Sequence, residues 1–536
     1  MPDLAREPLV GSRGAQFRRP TATMRPVAVT LGTSETATLG PTVDHDEPVT
    51  GNRIIATVLA AVVFAIDLAS PSGMTADPIR AVSVAVSMVH NRSLSLDHFQ
   101  PLPDPGYAIT VVNGHTYPLF PWAVSLFAVP WVIADDLLHK LGLTEGSEAM
   151  VRSGHDWGLQ VISMAAVVAA ATVVVYFIAL RVLRLQPPSR RRRWSVAVAL
   201  TFALATPAWS TASRAMWQHG PSMLCIAVGL LCALRAQAGQ RGWAGMGAAF
   251  AASYAMRPTD SIIIIVMAVW VLVAERRHLV AVVAGAVPPL AILVAVDLIY
   301  YHQPLTPYYT GGQAFDVSGT MAVALAGNLV SPARGLFIFC PLVILSVIGV
   351  VVRWRAGELT AFWKALAVIP VVHWVVISAF KHWWGGDSFG PRFFTDLMPV
   401  FVVLALPAVE VLAQWVAPSR LRSDPQLPAA HDGPVPDGDV VGAPPSLRWR
   451  RALVALTVVA LTWSVAVNAQ GAILRSAWCW NNEPVNVDAH PSNLWNWSDP
   501  QFARGIRTLV WGPDRSSEFI RDGVDLIGCP AEAVRP

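Results

Sequence analysis

The stretch AFWKALAVIPVVHWVVISAF (361–380), KHWWGGDSFGPRFFTD (381–396) and LMPVFVVLALPAVEVLAQWV (397–416) decides the class of fold. Its first and last parts are apolar and about 20 residues long, which is the length of a helix that crosses a bilayer. The middle part collects cations, carboxylates and indole rings: Lys381, His382, Trp383, Trp384, Asp387, Arg392 and Asp396. Charges beside a bilayer are costly unless they are paired or used. The stretch therefore predicts two membrane helices joined by one wall of a membrane-surface site for an anionic ligand.

The composition extends this interpretation to the whole chain. Of its 536 residues, 54% are hydrophobic and only 14% are charged, and the mean hydropathy is +0.47. Such a chain is too apolar for a soluble protein of this size and too regularly interrupted by polar residues for a disordered one. The small net charge of +4 gives no reason to expect a nucleic-acid partner. We predict an all-α polytopic membrane protein with about eleven spans, near 53–70, 156–180, 195–210, 221–234, 242–256, 260–274, 279–299, 336–352, 361–380, 397–416 and 452–469.

The arginines set the expected orientation, because Lys and Arg accumulate in cytoplasmic loops. Basic clusters such as Arg190–Arg193 occur in every second gap, and the N-terminal tail is basic as well. If the run 117–138 crossed the membrane, the Arg190–Arg193 block would face outward. We therefore interpret that run as a helix on the outer surface, with Asp135, Asp136 and Lys140 in water. The gaps expected to face outward are 71–155, 211–220, 257–260, 300–335, 381–396 and 470–536.

The polar segments divide the chain into parts. The expected parts are a disordered cytoplasmic tail (1–50), a transmembrane domain (51–416) with an outer loop (71–155), a cytoplasmic linker (417–451), a last transmembrane helix (452–469) and an outer cap (470–536). Cys479 and Cys529 bracket the cap and would form a disulfide if it faces an oxidising compartment. The remaining cysteines fall in apolar runs, where they are expected to be inert packing residues.

Several charged residues at the outward gaps have two interpretations. Asp77, in ADPIR, is either an acid favoured by the helix dipole alone or a carboxylate held at the membrane surface for chemistry. Arg257, in RPTD, either forms a salt bridge with Asp260 or contacts a phosphate through its planar guanidinium group. Arg334, in SPARG, and Arg392, in GPRFF, are the next candidates for phosphate binding.

Histidine and tryptophan residues at these gaps are weaker signals. His219 is more typical of a hydrogen-bonded structural residue than of a metal ligand. The sequence contains no pattern of metal-ligand spacing, so no metal cofactor is expected. Trp383 and Trp384 would either stack on a sugar or belong to the interfacial aromatic belt, of which the belt is the more common role.

Five phrases along the chain carry a resemblance: ADPIR after the first span, NGHTYPLFPWAVSLFAVP (113–130), RPT (257–259), SPARGLFIFCP (331–341) and WWGGDSFGPRFFTDLMP (383–399). In this order they resemble the bacterial lipid-carrier-dependent glycosyltransferases of the GT-C superfamily, in particular the dolichyl-phosphate-mannose mannosyltransferase or family 39-like group. The resemblance covers about residues 53–416. The phrase NLWNWSDPQFARG (493–505) also resembles members of this group.

The resemblance implies a catalytic carboxylate in the first outer loop. Asp77 occupies its position, and 117–138 matches the second of two surface helices that follow in the family. Many members carry two adjacent acids in this loop, whereas Pro78 follows Asp77 here. Either one carboxylate suffices, or the second role falls to another residue such as Asp97.

The resemblance also implies an activity, namely transfer of a sugar, with mannose as the best expectation, from a polyprenyl-phosphate donor to an envelope glycan, glycolipid or glycoprotein. Asp77 would take the acceptor proton, and transfer would invert the anomeric centre. The phosphate partners would be Arg257, Lys381, Arg392 and Arg334, and the sugar or acceptor would be oriented by His219, His382, Asp387, Trp383 and Trp384. The site would lie on the outer face of the cytoplasmic membrane, with no cofactor beyond the lipid-linked donor.

Other functions remain open from the sequence. The same class includes arabinofuranosyl- and other pentosyl- or hexosyltransferases. A transporter or flippase of lipid-linked sugars, or a non-catalytic assembly partner, would be a different class. The cap at 470–536 would either help to bind an extended glycan acceptor or only cover the spans.

Overall fold

The computed structural model describes residues 49–73, 77–100, 102, 108–310, 320–416, 446–482 and 485–511. Three of the predicted features, the tail up to residue 48, the linker between 417 and 445, and Cys529, lie outside these residues. The predictions made for them, including the pairing of Cys479 with Cys529, stay predictions. The described part of the chain is mostly helical, as expected for backbone that must satisfy its own hydrogen bonds in lipid.

Eighteen α-helices lie in the described residues. They are α1 (Val49–Ala69), α2 (Ala81–Asn91), α3 (Val129–Lys140), α4 (Ser147–Ser153), α5 (Trp157–Val182), α6 (Pro188–Leu204), α7 (His219–Gln237), α8 (Trp243–Met256), α9 (Ser261–Ala274), α10 (Leu279–Tyr301), α11 (Met321–Val330), α12 (Leu336–Phe339), α13 (Ile344–Arg355), α14 (Ala361–Ser378), α15 (Met398–Val416), α16 (Leu447–Ile473), α17 (Arg475–Cys479) and α18 (Gln501–Trp511). Two short strands, β1 (Ile109–Val112) and β2 (His115–Pro118), form an antiparallel hairpin.

Seven helices in the described residues are long and apolar enough to cross a membrane, namely α1, α5, α7, α10, α14, α15 and α16. The chain is therefore a multi-pass membrane protein. The count of about eleven spans is not confirmed, because α6, α8, α9 and α13 have 17, 14, 14 and 12 residues. These lengths fall short of the roughly 20 residues that a perpendicular span needs. The last span is longer than predicted and covers Leu447–Ile473.

The run 117–138 is not one helix, which corrects the prediction of a continuous surface helix. Asn113 and Gly114, with φ of 52° and 84°, form the two-residue turn between β1 and β2, for which Asn-Gly is the favoured pair. Pro118 and Pro121 follow, and each removes a backbone donor that a helix would need. The helical residues are divided between a 3₁₀ helix, Trp122–Phe127, and α3, which has 12 residues. At about 1.5 Å per residue, α3 alone is too short to cross a bilayer.

Helix α3 is nevertheless apolar on one exposed side, where Ile133, Leu137 and Leu138 lie open. Asp135 was expected in water but is buried at 7% exposure, because it faces the body of the outer loop. Its neighbour Asp136 is partly exposed, and its Oδ2 lies 2.7 Å from the His90 ring.

Helices α5 and α10 occupy opposite environments in the bundle. In the most apolar 18-residue stretch of each helix, 67% of the residues of α5 are buried but only 6% of those of α10. Helix α10 therefore presents nearly its whole surface outward. It crosses α8 at two glycines. A Cβ on Gly247 would lie 2.0 Å from the carbonyl oxygen of Val282, and one on Gly285 would lie 1.9 Å from that of Ala244. Small residues of this kind let membrane helices pack backbone to backbone.

Candidate functional site

A cavity of about 340 Å³ lies where the loop 379–397 meets the first turn of α7 and the junction between α8 and α9. Six residues that the sequence singled out line it: Asp77, His219, Arg257, Lys381, His382 and Arg392. They come from four separate parts of the chain, and three of them belong to the motif 381–396. The fold thus brings together the acid of the first outer loop, the cation between two short helices and the cations of the opening motif.

Asp77 and Arg392 form an ion pair across this cavity. Asp77 begins the 3₁₀ turn Asp77–Arg80, and its Oδ2 accepts a hydrogen bond from Nη1 of Arg392 at 3.1 Å. The side chains are 24% and 10% exposed, so both remain open to the cavity. The Arg392 guanidinium also lies over the Trp217 ring, with its carbon 4.4 Å from the ring centroid. A guanidinium stacked on an indole keeps its N–H edge free to bind an anion.

Arg257 belongs to a more deeply buried ion pair. It follows the last residue of α8, is 3% exposed and donates from Nη1 to Oδ2 of Asp396. The sequence left two partners open for Arg257, Asp260 or a phosphate. The ion pair seen in the structure is with neither, since the Asp260 carboxylate accepts from the Ser222 hydroxyl. Asp396 lies at the far end of the opening motif, and only the tertiary fold brings it to Arg257.

Asp396 also holds His219, whose Nδ1 lies 3.3 Å from Oδ1. Burial alone would raise the pKa of Asp396, but the Arg257 guanidinium holds that pKa well below its usual range. Asp396 therefore stays ionised and balances the charge of Arg257. His219 lines the cavity but is only 4% exposed, so its first role is to complete this buried group.

Lys381 and His382 form the exposed rim of the cavity. The His382 ring stacks on Trp384 with 5.0 Å between ring centroids. Together with Arg257 and Arg392, Lys381 gives this wall three cations, which face the carboxylates of Asp77 and Asp396. The positive charge is in excess, as a site for an anionic group requires.

Arg334 does not line the cavity, which corrects its assignment to phosphate binding. It is 1% exposed, and its guanidinium donates to the carbonyl oxygens of Trp384 and Gly386 and to the side chains of Asn481 and Gln501. Burial lowers its pKa to about 9, which leaves it protonated at neutral pH. Its donors are all occupied by protein atoms, so in this structure the guanidinium binds the protein and not the cavity.

Trp383, Trp384 and Asp387 are likewise turned away from the cavity. The tryptophans are 4% and 7% exposed, which excludes both the sugar-stacking and the interfacial-belt interpretation in this conformation. The Trp384 Nε1 donates to Asp488 at 2.6 Å, and Asp387 accepts from Asn482 at 3.2 Å. All three residues therefore attach the opening motif to neighbouring segments rather than to a ligand.

The cavity also contains residues that the sequence did not single out. Tyr309 donates to Oε1 of Gln218 at 2.9 Å, and Tyr308 packs on Phe120 with ring centroids 4.7 Å apart. Burial raises the pKa of Tyr308 and Tyr309, so both phenols stay protonated and can act as donors. The available signal was the Pro-Tyr-Tyr run in an outward gap. The remaining lining residues are Trp217, Thr259, Phe380 and Phe393.

Two further observations bear on the predictions. Asp97 does not line the cavity; it accepts from the backbone N–H of Thr116 at 2.7 Å and lies 2.7 Å from the His115 ring. Within the described ranges, no group of three or more His, Cys, Asp or Glu side chains is arranged to hold a metal ion.

Comparison with known proteins gave structural matches alone. No family model and no curated protein matches the sequence. The fold is similar to the crystal structure of ArnT from Cupriavidus metallidurans bound to undecaprenyl phosphate, at 15% identity and a TM-score of 0.39, over 87% of this chain and 76% of that one. It is similar to the apo ArnT structure at 14% identity and a TM-score of 0.38, over 81% and 79%. Similarity at this level carries no functional assignment to this chain.

Proposed function

We propose that this protein is an integral membrane glycosyltransferase that moves a sugar from a polyprenyl-phosphate donor to an acceptor of the cell envelope. The observation that carries the proposal is the convergence of Asp77 with Arg257, Lys381 and Arg392 around one cavity. The ordered sequence phrases that resemble GT-C enzymes support it independently. The site is proposed to lie on the outer face of the membrane, from the distribution of arginines.

The cations of the cavity suit the donor. A polyprenyl-phosphate sugar keeps its lipid in the bilayer and its phosphate at the surface, beside the ends of membrane helices such as α7 and α14. The leaving phosphate is already a stable anion, so no general acid is needed to expel it. Arg392 and Lys381, which reach the open side of the cavity, would hold the charge that develops on it. Arg257, buried behind them, would contribute mainly through its field.

Asp77 is the proposed general base. In this structure its carboxylate is paired with Arg392 at 3.1 Å. A donor phosphate would compete for that guanidinium, and Oδ2 of Asp77, which Arg392 now occupies, would accept from the acceptor hydroxyl. The acceptor oxygen forms a bond to the anomeric carbon while the bond from that carbon to the phosphate oxygen breaks. The acceptor proton passes to Asp77, and a single displacement inverts the anomeric centre.

Mannose is the sugar we propose, because of the subgroup that the sequence phrases resemble. The Phe120–Tyr308 pair and the Tyr309–Gln218 hydrogen bond supply an apolar face and polar groups of the kind that bind a sugar. With Trp383, Trp384 and Asp387 directed elsewhere, His382 and these residues take over the proposed orienting role.

The test is transfer of labelled sugar by membranes that contain wild type, Asp77→Asn or Asp97→Asn. Each is incubated with polyprenyl-phosphate mannose and, separately, with the arabinose and glucose analogues. Asp77→Asn should lower transfer by about 10²- to 10⁴-fold, which is the usual contribution of a general base. Asp97→Asn removes a carboxylate from the same outer loop outside the cavity and should retain transfer.

The outcomes separate the alternatives. Equal transfer by Asp77→Asn and wild type would remove Asp77 as the base, and loss in Asp97→Asn would restore the two-acid interpretation. Movement of the lipid-linked sugar across vesicle membranes without any transfer would replace the enzyme by a transporter. The analogue that is transferred fastest identifies the sugar.

A further inference from the structure

The loop of residues 384–390, called the site loop here, has a conformation that its own sequence does not hold in place. Gly385, Gly386 and Gly390 adopt φ of 77°, 59° and 64°, in the left-handed region that glycine enters without strain. Glycine-rich backbone loses much conformational entropy when it is fixed. The fixed position of the loop therefore depends on contacts from other parts of the chain.

Arg334 supplies one set of these contacts from the segment before α12. Its Nε donates to the carbonyl oxygen of Trp384 at 2.7 Å, and its Nη2 donates to that of Gly386 at 3.0 Å. The same Nη2 donates to Oδ1 of Asn481 at 2.7 Å, beyond α17. A single buried guanidinium thus joins the first half of the site loop to the C-terminal segment.

Gln501, the first residue of α18, holds the second half of the loop. It is fully buried, and its Nε2 donates to the carbonyl oxygen of Ser388 at 2.9 Å. Its Oε1 accepts from the backbone N–H of Gly390 at 3.1 Å and from Nη1 of Arg334 at 2.6 Å. Arg334 and Gln501 therefore form one connected clamp over the loop, and buried networks of this kind are strong when every member is satisfied.

The clamped loop packs directly against a cation of the cavity. A Cβ on Gly385 would lie 3.1 Å from Nε of Arg392, so the loop backbone runs close beside the guanidinium, at a position with little space for a side chain. Arg392 also follows Gly390 by two residues in the chain. The Arg392 side chain thus lies between this loop, the Trp217 ring and Asp77. The clamp holds the loop, so it fixes the side of Arg392 that faces the loop.

We propose that Arg334 and Gln501 are positioning residues, and that the C-terminal segment through α18 is a working part of the site because it fixes Arg392. The clamp touches neither the cavity nor any group placed in it. This inference rests on the proposed function for the identity of the ligand of Arg392, a lipid-linked phosphate. It gives the cap a role different from both acceptor binding and simple coverage of the spans.

The first measurement is hydrogen–deuterium exchange of the purified full-length protein, which needs no activity. Gln501→Ala should speed exchange in the peptide that contains 384–392. Gln470→Ala is the matched comparison, because Gln470 is also buried at 4% exposure and holds α18 through the backbone of Phe502 and Ile506 without touching the site loop. It acts on the loop only through α18, so it should speed exchange in 384–392 less than Gln501→Ala does. Unchanged exchange in Gln501→Ala, or equal acceleration in Gln470→Ala, would overturn the clamp whatever chemistry the protein performs.

The second measurement is transfer from polyprenyl-phosphate mannose. Gln501→Ala should lower kcat/KM on the order of tenfold to hundredfold, as small displacements of binding groups do. Gln501→Glu keeps the oxygen that accepts from Arg334 and Gly390 but loses the Nε2 donor to the Ser388 carbonyl oxygen, so it should recover part of the loss. In an Arg392→Ala background, Gln501→Ala should cause little further loss of kcat/KM, because the clamp acts through Arg392. If Gln501→Ala only destabilised the protein in general, the fold-losses of the two single variants would multiply in the double variant.

These results distinguish the two proposals. Faster exchange in Gln501→Ala with no transfer by wild type would leave the clamp standing and overturn the glycosyltransferase. Active wild type with faster exchange but undiminished transfer in Gln501→Ala would overturn the positioning role and leave the enzyme standing. Multiplicative losses in the double variant, or no recovery in Gln501→Glu, would also count against positioning.

Discussion

Two ion pairs border the same cavity and differ in their access to solvent. Arg257 and Asp396 are 4% and 0% exposed at their side chains, whereas Arg392 and Asp77 are 10% and 24% exposed. Removing charges from water is costly, and a buried pair offsets that cost through mutual attraction, so its members cannot be separated cheaply. The first pair is therefore fixed structure. The second is open enough for an incoming anion to exchange one partner, which is what the proposed reaction needs.

The largest expected effect comes from breaking the buried pair. Asp396→Asn leaves the Arg257 charge without its partner and should lower the free energy of unfolding by about 3–5 kcal/mol. Thermal unfolding of the purified protein in detergent checks this. Arg257→Met combined with Asp396→Leu removes both charges and should be more stable than Asp396→Asn alone. A loss under about 1 kcal/mol in Asp396→Asn would show that the two ion pairs are not different in kind.

A smaller effect is expected from altering the open pair. Arg392→Lys keeps the charge but loses the planar guanidinium, which stacks on Trp217 and can form bidentate hydrogen bonds with a phosphate. Binding of polyprenyl phosphate should weaken by about tenfold, or 1.4 kcal/mol, with little change in thermal stability. The matched control is Arg152→Lys. Arg152 also pairs with a carboxylate, Glu148, and lies over a ring, Phe99, but it does not line the cavity.

Unchanged binding in Arg392→Lys would remove this residue from the phosphate site. An equal loss of binding in Arg152→Lys would mean that the assay reports surface charge in general.

The smallest effect concerns a third carboxylate, exposed on the outer loop. Burial raises the pKa of Asp97, but hydrogen bonds from the Thr116 N–H, the His115 ring and Ser95 together outweigh burial and lower the pKa to about 2. Because the pKa of Asp97 is lower in the folded than in the unfolded state, the ionised carboxylate stabilises the fold above about pH 4. This stabilisation is lost as the pH falls toward about 2. Asp97 is 41% exposed, so solvent screening should keep this below about 1 kcal/mol. The Tm difference between wild type and Asp97→Asn should be small at pH 7 and shrink below pH 4; a difference that grows would contradict it.

Much of the site could be predicted because the chemistry was concentrated at the ends of apolar runs. Asp77, Arg257 and Arg392 stood out there, and the fold brings them to one cavity. Partner choice could not be predicted in the same way. Arg257 had a carboxylate three residues away but binds one at position 396, and sequence distance says nothing about such contacts.

Arg334 and the two tryptophans show a second limit of the sequence. They have the residue types of a ligand site, yet they are buried against α18 and the segment around Asp488. Whether an arginine faces a cavity or the protein interior depends on which distant segment covers it. The hairpin at Asn113 and Gly114 was missed for a different reason, since the apolar run that follows hid a local turn signal.

The crossing of α8 and α10 has a consequence for how this protein tolerates mutation. Most of the surface of α10 faces outward, where one apolar side chain substitutes readily for another. At Gly247 and Gly285 even a methyl group would meet backbone oxygen at 2.0 and 1.9 Å. Saturation mutagenesis of α10 should therefore give a helix that is permissive on its exposed face and intolerant at Gly285 and at the buried Leu293, Asp297 and Tyr301. Within the exposed first half of α10, the missing side chain of Gly285 is what fixes the helix against α8.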